Sequence, residues 1–166
     1  VGLLMRAGAN AIKIEGVDGS EETIRHIIQS GVPVMGHLGL TPQSVNQFGG
    51  FKVQGKTEAA AMQIHAQARK LIECGVFALV LECVPSPLAS QITTNSSVPV
   101  IGIGAGVGCD GQVLVFQDAL GLNTEFKPKF VRHFAEGAEA LRQGLDLFAQ
   151  SVRDKTFPSE SEGFNK

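Results

Sequence analysis

The sequence holds few cysteines, little charge and no long apolar run, and each shortage narrows what the chain can be. Its three cysteines, Cys74, Cys83 and Cys109, are odd in number and show no CxxC spacing. That argues for a reducing compartment and against a disulfide framework or a zinc site. No apolar stretch approaches the ~18 residues of a membrane span. Net charge is −2 with no basic cluster, which makes nucleic acid and anionic membranes poor partners. A Ser-His-Asp elbow, a P-loop and a Cys/His metal cluster are all missing. The first residue is Val1, with no signal peptide and no cap before Leu3-Leu4-Met5, so the chain is expected to begin inside a helix, as a processed product or a fragment.

What is present is a compact, globular composition: 166 residues, 43% hydrophobic and 18% charged, enough for one domain with a real core. Glycine is abundant, 20 of 166 residues against a usual ~7%. The excess falls between strands and helices rather than in a repeat, as tight turns and close backbone approach require.

Strand and helix patterns alternate. Residues 2–8 read as a helix tail closed by Gly8, and 10–15 as a strand. Residues 20–30 carry Ile24, Ile27 and Ile28 at helical spacing, with Gly31 as the stop. A short buried strand follows over 32–36, then a long helix over 57–74 closed by Gly75. Residues 76–82 (VFALVLE) form a nearly continuous apolar run, as in a parallel strand covered on both faces. A helix over 86–95, a strand over 98–103 and a fifth strand over 111–116 come next. A long amphipathic helix over 129–153 and a polar tail over 155–166 end the chain. The pattern predicts a parallel α/β sheet with right-handed crossovers. A (βα)8 TIM-type barrel fits better than a doubly wound sheet, because polar residues follow several different strands instead of one switch point. A barrel takes roughly 250 residues, so residues 1–154 are expected to be a partial barrel of about the last five βα units, with 155–166 a tail.

Chemistry-bearing residues gather at the predicted strand ends. Lys13 and Glu15 alternate with Ile12 and Ile14 and so share one face of a strand. They are either a structural pair, or a lysine for an anionic substrate beside a glutamate near a divalent cation. Glu82 closes an apolar strand, as a helix-capping acid before Pro85 or as a general base whose pKa partial burial raises. Cys83 falls on the opposite face and reads as core. His37 stands where a strand gives way to a Gly-rich polar loop running to Lys56. A lone histidine there is either a structural hydrogen-bonder or a site residue, whereas His26, His65 and His133 lie in predicted helices and read as solvated. Thr41-Pro42 looks like an N-cap with a first-turn proline, and the three glycines and two lysines that follow have no evident packing reason. Gly102–Gly108 carries a GxGxxG-like spacing, but no acidic ribose partner accompanies it; a tight loop at a barrel mouth is the plainer reading.

The chain closely resembles the ketopantoate hydroxymethyltransferase family. The match runs through Met5–Asn10, Ile12–Gly16, the long and specific block Gly36–Lys56, Leu79–Pro85, Pro99–Gly106 and Asp110–Asp118. The resemblance implies a (βα)8 barrel that transfers a hydroxymethyl group from 5,10-methylenetetrahydrofolate to 3-methyl-2-oxobutanoate, giving 2-dehydropantoate. It implies Mg2+ polarising the substrate ketone, Glu82 as the base, Lys13 and His37 as substrate-binding residues and Glu15 at the metal. It also implies a cytoplasmic homo-oligomer. The family's two metal-binding aspartates, one followed by a substrate-holding serine, have no counterpart here, and the tail lacks a histidine expected near the C-terminus. The chain by itself is therefore expected to be inactive. Two other readings stay open: a truncated, non-catalytic remnant, and another Mg-dependent 2-oxo-acid barrel enzyme of the phosphoenolpyruvate mutase/lyase type.

Overall fold

A computed structural model of the protein describes residues 1–44, 46 and 49–164. Two compact units are present, Val1–Val113 and Leu114–Lys166. The first is built as α1 (Gly2–Arg6), β1 (Ile12–Glu15), α2 (Glu21–Gln29), β2 (Val34–Gly39), α3 (Glu58–Cys74), β3 (Ala78–Glu82), α4 (Ser86–Thr94), β4 (Val100–Ile103) and β5 (Gly111–Gln112). Its five strands pair in chain order, all parallel; α2, α3 and α4 make the first three crossovers, as parallel pairing expects, and a loop without a helix joins β4 to β5.

One face of the sheet packs against those helices. Ile12, Val34, Leu38, Leu79, Leu81 and Val100 from the strands join Ile24, Ile27, Ile64, Ala68, Leu71 and Ile92 from α2, α3 and α4 in a single core. Gly36 shows how close that contact is: a Cβ there would sit 2.7 Å from Leu71 Cδ1 and 2.9 Å from Leu79 Cδ2. α3 begins where Thr57 Oγ1 accepts the Ala60 N–H and ends at Gly75 in the left-handed region, the stop that the sequence signals.

In the first unit, three elements differ from expectation by more than two residues or in type. β2 runs to Gly39, three residues past the predicted end, because His37 and Leu38 continue the ladder to Val80 and Leu81. After Thr41-Pro42 comes a single 3₁₀ turn, Pro42–Ser44; Val45, Gln47 and Phe48 of the same predicted stretch lie outside the described residues. β5 pairs only over Gly111–Gln112.

In the second unit, Phe116–Ala119 forms α5 and Gly137–Arg153 forms α6. α6 starts eight residues later than predicted, because the segment ahead of it spends its hydrogen bonds elsewhere. Phe134 N–H donates to Ala119 O, Gly137 N–H to Leu120 O and Ala138 N–H to Gly121 O. His133 thus lies in an irregular segment, half-buried and 3.6 Å from Glu136, not on a solvated helix. The tail contains a 3₁₀ turn, Glu160–Glu162, closed by a capping box between Ser159 and Glu162.

Candidate active site

Parallel pairing sets the strand-end residues in a fixed order on the sheet face opposite the helices. Glu15 is level with His37, and Gly39 is level with Glu82. Side chains two residues apart share a face, so three rows follow. The lowest holds Lys13, Met35 and Ala78; the next Glu15, His37, Val80 and Ile101; the uppermost Gly39, Glu82 and Ile103.

His37 is the centre of this arrangement. Its Nδ1 lies 3.6 Å from Glu15 Oε1 and its Nε2 lies 3.1 Å from Glu82 Oε2. The imidazole is fully buried, with 1% of its side chain exposed, against 11% for Glu15 and 20% for Glu82. The contact to Glu82 is within hydrogen-bonding distance and the one to Glu15 just beyond it, but neither ring nitrogen makes a hydrogen bond. An unsatisfied buried polar atom costs about 1–3 kcal/mol, and such local costs concentrate at functional sites. The sequence pointed to His37 through its position at the end of a buried strand; its bridging of two carboxylates follows only from the register.

Backbone contacts hold the carboxylates in place. Gln43 N–H donates to Glu15 Oε2 at 3.0 Å, fastening the turn after β2 over the end of β1. Leu40 N–H donates to Glu82 O at 2.8 Å, Gly16 N–H to His37 O at 2.9 Å and Cys83 N–H to Ile103 O at 2.9 Å. The ends of four strands are thereby stitched together just above the polar cluster. Neither Gln43 nor Leu40 carries a sequence signal for this role, since each acts through its backbone.

Lys13 is exposed on β1 and enters no ion pair among the described residues. Lys13 and Glu15 are therefore not a mutually neutralising pair. Cys83 is buried with φ 49°; burial first, and the Glu82 charge second, push its thiol pKa up. A thiol kept protonated is a poor nucleophile, in keeping with its reading as core.

Two glycine-rich loops resolve differently from their sequence appearance. In the loop after β4, a Cβ on Gly106 would fall 2.2 Å from Ser86 Oγ, and one on Gly108 would fall 2.8 Å from Ser90 Cβ. These glycines let the loop lie against α4, so the plainer, structural reading holds. In the loop after β2, packing does require some of the glycines. A Cβ on Gly39 would fall 2.1 Å from Glu82 O, and one on Gly55 2.8 Å from Leu88 Cδ2.

Among the described residues no group of three or more His, Cys, Asp or Glu side chains is arranged to hold a metal ion. Glu15 fits as one ligand of a hard cation: it is a carboxylate with only one oxygen engaged by a backbone donor, and carboxylate oxygens have further lone pairs to offer. Mg2+ commonly takes one or two carboxylates and completes its octahedron with water and substrate oxygens.

Comparison with known proteins bears on what this cluster does. The sequence model of the ketopantoate hydroxymethyltransferase family matches residues 1–160. The 3-methyl-2-oxobutanoate hydroxymethyltransferase of Bdellovibrio bacteriovorus is 55% identical over 162 residues, 98% of this chain and 62% of that protein. The enzyme of the same name from Coxiella burnetii is 54% identical over 156 residues, 93% of this chain and 59% of that protein. The chain thus spans about three-fifths of the length of the curated relatives it matches. A putative phosphonomutase from Burkholderia cenocepacia J2315 superposes with a TM-score of 0.46 at 16% identity, over 92% of this chain and 60% of that one, too loose a likeness to bear on chemistry.

Proposed function

The chain belongs to the ketopantoate hydroxymethyltransferase family, and on that premise we propose that it carries one wall of an active site for hydroxymethyl transfer from 5,10-methylenetetrahydrofolate to 3-methyl-2-oxobutanoate, giving 2-dehydropantoate. The family is one of TIM-type barrels, and five parallel strands paired in consecutive order are what successive strands of such a barrel present.

One observation carries the reading: the polar groups rise through the three rows in the order a 2-oxo acid needs them. Lys13 stands lowest, suited to the substrate carboxylate. Glu15 is one row up on the same strand, beside the position of the 2-oxo group. Glu82 is one row higher on β3, suited to the C3–H next to that ketone. Rows are about 6.6 Å apart along a strand and neighbouring strands about 4.8 Å apart, spans that a long lysine stem and two glutamates close around a five-carbon acid.

Glu82 is the most exposed of the three clustered groups, so it is the one that meets substrate. Its carboxylate takes the C3 proton, and the resulting enolate attacks the methylene carbon as one of that carbon's two C–N bonds breaks. Water then replaces the remaining folate nitrogen, leaving the hydroxymethyl group on the product and releasing tetrahydrofolate, whose two freed nitrogens take up protons. General bases of this kind contribute ~10²–10⁴-fold. His37, which the resemblance implies as a substrate-binding residue, is instead buried below, against both carboxylates, and in this reading it holds Glu82 in line. Glu15 is the residue here that would hold Mg2+, and the bound cation would supply ketone polarisation that acidifies the C3–H.

Residues 1–154 fit a partial barrel followed by a polar tail at 155–166. A cytoplasmic setting is part of the reading, in keeping with three cysteines that show no CxxC spacing. Association of like subunits is part of the reading, and α6 exposes Leu141, Leu145 and Phe148 for such contacts. No helix among the described residues is long and apolar enough to cross a membrane.

The test is Glu82→Gln in the full-length protein, assayed for 5,10-methylenetetrahydrofolate-dependent consumption of 3-methyl-2-oxobutanoate. The expected result is a kcat lower by ~10²–10⁴-fold with the KM of the oxo acid little changed. Turnover within tenfold of the parent would remove Glu82 as the base.

A further inference from the structure

β4 meets the polar cluster with isoleucine alone. Alternation along the strand sends Val100 into the helix-side core and turns Ile101 and Ile103 to the opposite face, in the rows of His37 and Glu82. β3 divides in the same way: Leu79 and Leu81 join that core, whereas Val80 stands one row beneath Glu82. Val80 and Ile103 are buried, at 7% and 9% exposed, yet neither belongs to the helix-side core. Their apolar surface is therefore spent on the face that carries the carboxylates.

The two isoleucines are not equivalent. Ile101 pairs with Gly111 of β5, where an added Cβ would meet Ile101 Cδ1 at 2.9 Å, so its side chain packs against β5. That ladder ends one residue on, at Gly102 and Gln112, and Ile103 lies past it without a β5 register partner. Its partner on the other side is Glu82, and the Cys83 N–H donates to Ile103 O at 2.9 Å, which holds the two strand ends together. Neighbouring strands run about 4.8 Å apart, so Ile103 stands directly beside the proposed base, on the side away from His37 and Glu15. Across the four strands the groups thus run from charged to apolar: Glu15 on β1, His37 on β2, Glu82 on β3 and Ile103 on β4. A branched 2-oxo acid carries the same order, from its charged head through the C3–H to its alkyl branch.

We propose that Ile103, with Val80 beneath it, is the specificity-determining wall for the alkyl branch of the oxo acid, the two methyl groups at C3 resting on it while the C3–H faces Glu82. The inference rests on the hydroxymethyl-transfer reading above and adds to it the residue that sets the size of branch the site accepts. An apolar wall discriminates by volume: one methylene more or less in such a pocket changes kcat/KM about 10–200-fold.

Ile103→Val and Ile103→Ala are made in the full-length protein. With 5,10-methylenetetrahydrofolate and Mg2+ present, kcat/KM is measured for two acids, 3-methyl-2-oxobutanoate and 3-methyl-2-oxopentanoate. The second acid is larger by one methylene, and Ile103→Val shortens the wall by one carbon. The ratio of the two kcat/KM values should therefore move toward the larger acid by roughly tenfold in Ile103→Val, and further in Ile103→Ala. A substitution that only loosened the fold would lower both values together and leave their ratio where it was. A ratio within twofold of the parent in Ile103→Val overturns the proposal, whether or not the alanine variant folds, and so does a shift toward the smaller acid. A parent enzyme that turns over neither acid sinks the transfer reading and this inference with it. A parent active on 3-methyl-2-oxobutanoate, with a ratio indifferent to the Ile103 substitutions, sinks the inference alone.

Discussion

Replacing Gly39 with alanine tests whether the ends of β2 and β3 are locked in the way that positions Glu82. Gly39 has φ +92°, and an alanine Cβ there would lie 2.1 Å from Glu82 O and 2.8 Å from Val84 Cγ1. The left-handed backbone alone costs an L-residue roughly 1–2 kcal/mol. The clash adds to this, because the oxygen that must retreat also accepts the Leu40 N–H at 2.8 Å. Losing that bond costs about 1 kcal/mol, and overpacking a dense site typically costs ~1–3 kcal/mol. The total is about 3–6 kcal/mol, a large part of the ~5–15 kcal/mol that holds a domain together. Gly31 supplies the control: its φ is +89°, but nothing lies within 4 Å of an added Cβ, so Gly31→Ala should cost only the backbone term, roughly 1–2 kcal/mol. Urea unfolding of the two variants in the full-length protein, followed by circular dichroism, separates strain from collision. Gly39→Ala should be the less stable by at least ~2 kcal/mol. Equal losses in the two variants would show that the β2 and β3 ends are not in the contact described, and that Glu82 is not held from below by Gly39.

Two further outcomes are expected. His37→Asn removes the ring that spans Glu15 and Glu82 while keeping a polar group, and should lower kcat about 10–100-fold, the usual effect of losing a group that orients a ligand or base, with the oxo-acid KM nearly unchanged; an unaltered kcat in steady-state kinetics would make His37 purely structural. Lys70 Nζ lies 2.8 Å from Asp18 Oδ1 and 3.1 Å from Glu21 Oε1, and the Asp18 carboxyl is held below its ordinary value by hydrogen bonds from Lys70 first and Gln67 second. A depressed carboxylate stabilises the fold above its unfolded pKa and loses that effect as pH falls through the folded value, so Lys70→Met should lower the thermal midpoint at pH 7, with the gap closing below about pH 4; a gap that persists or widens in acid would contradict the linkage.

Most of the strand and helix order is legible in the sequence, because hydrophobic period and glycine stops both mark it. α3 illustrates this: Thr57 caps it and Gly75 ends it, and the residues between bury one stripe. The failures are instructive in physical terms. β2 was expected to end at Gly36 because glycine and histidine weaken a strand pattern. Gly36 is in the strand because α3 comes too close for a side chain, a tertiary cause that local periodicity does not contain. The late start of α6 has the same origin: Phe134, Gly137 and Ala138 donate to carbonyls far back in the chain. The sequence offers no packing reason for the three glycines in the loop after β2, yet Gly55 fits against Leu88 and Ile64, and Gly39 at the end of β2 fits against Glu82.

The site followed a similar division. Glu82 stands out in sequence because it closes an apolar strand, and Glu15 because it shares a strand face with Lys13, and those signals survive without knowledge of pairing. Their relation to each other does not. Glu15 pairs with His37, and Glu82 pairs with a residue two further along the same strand, so a slip of one residue between β2 and either neighbour would turn His37 to the helix-covered face and separate the carboxylates. Gly36 guards against that slip. Moving β2 by one residue would put Met35 or His37 where only a glycine fits against Leu71 and Leu79, which overpacks the core. The register that aligns the polar cluster is therefore enforced from the opposite face of the sheet, by the same close approach of α3 that disguised β2 in the sequence.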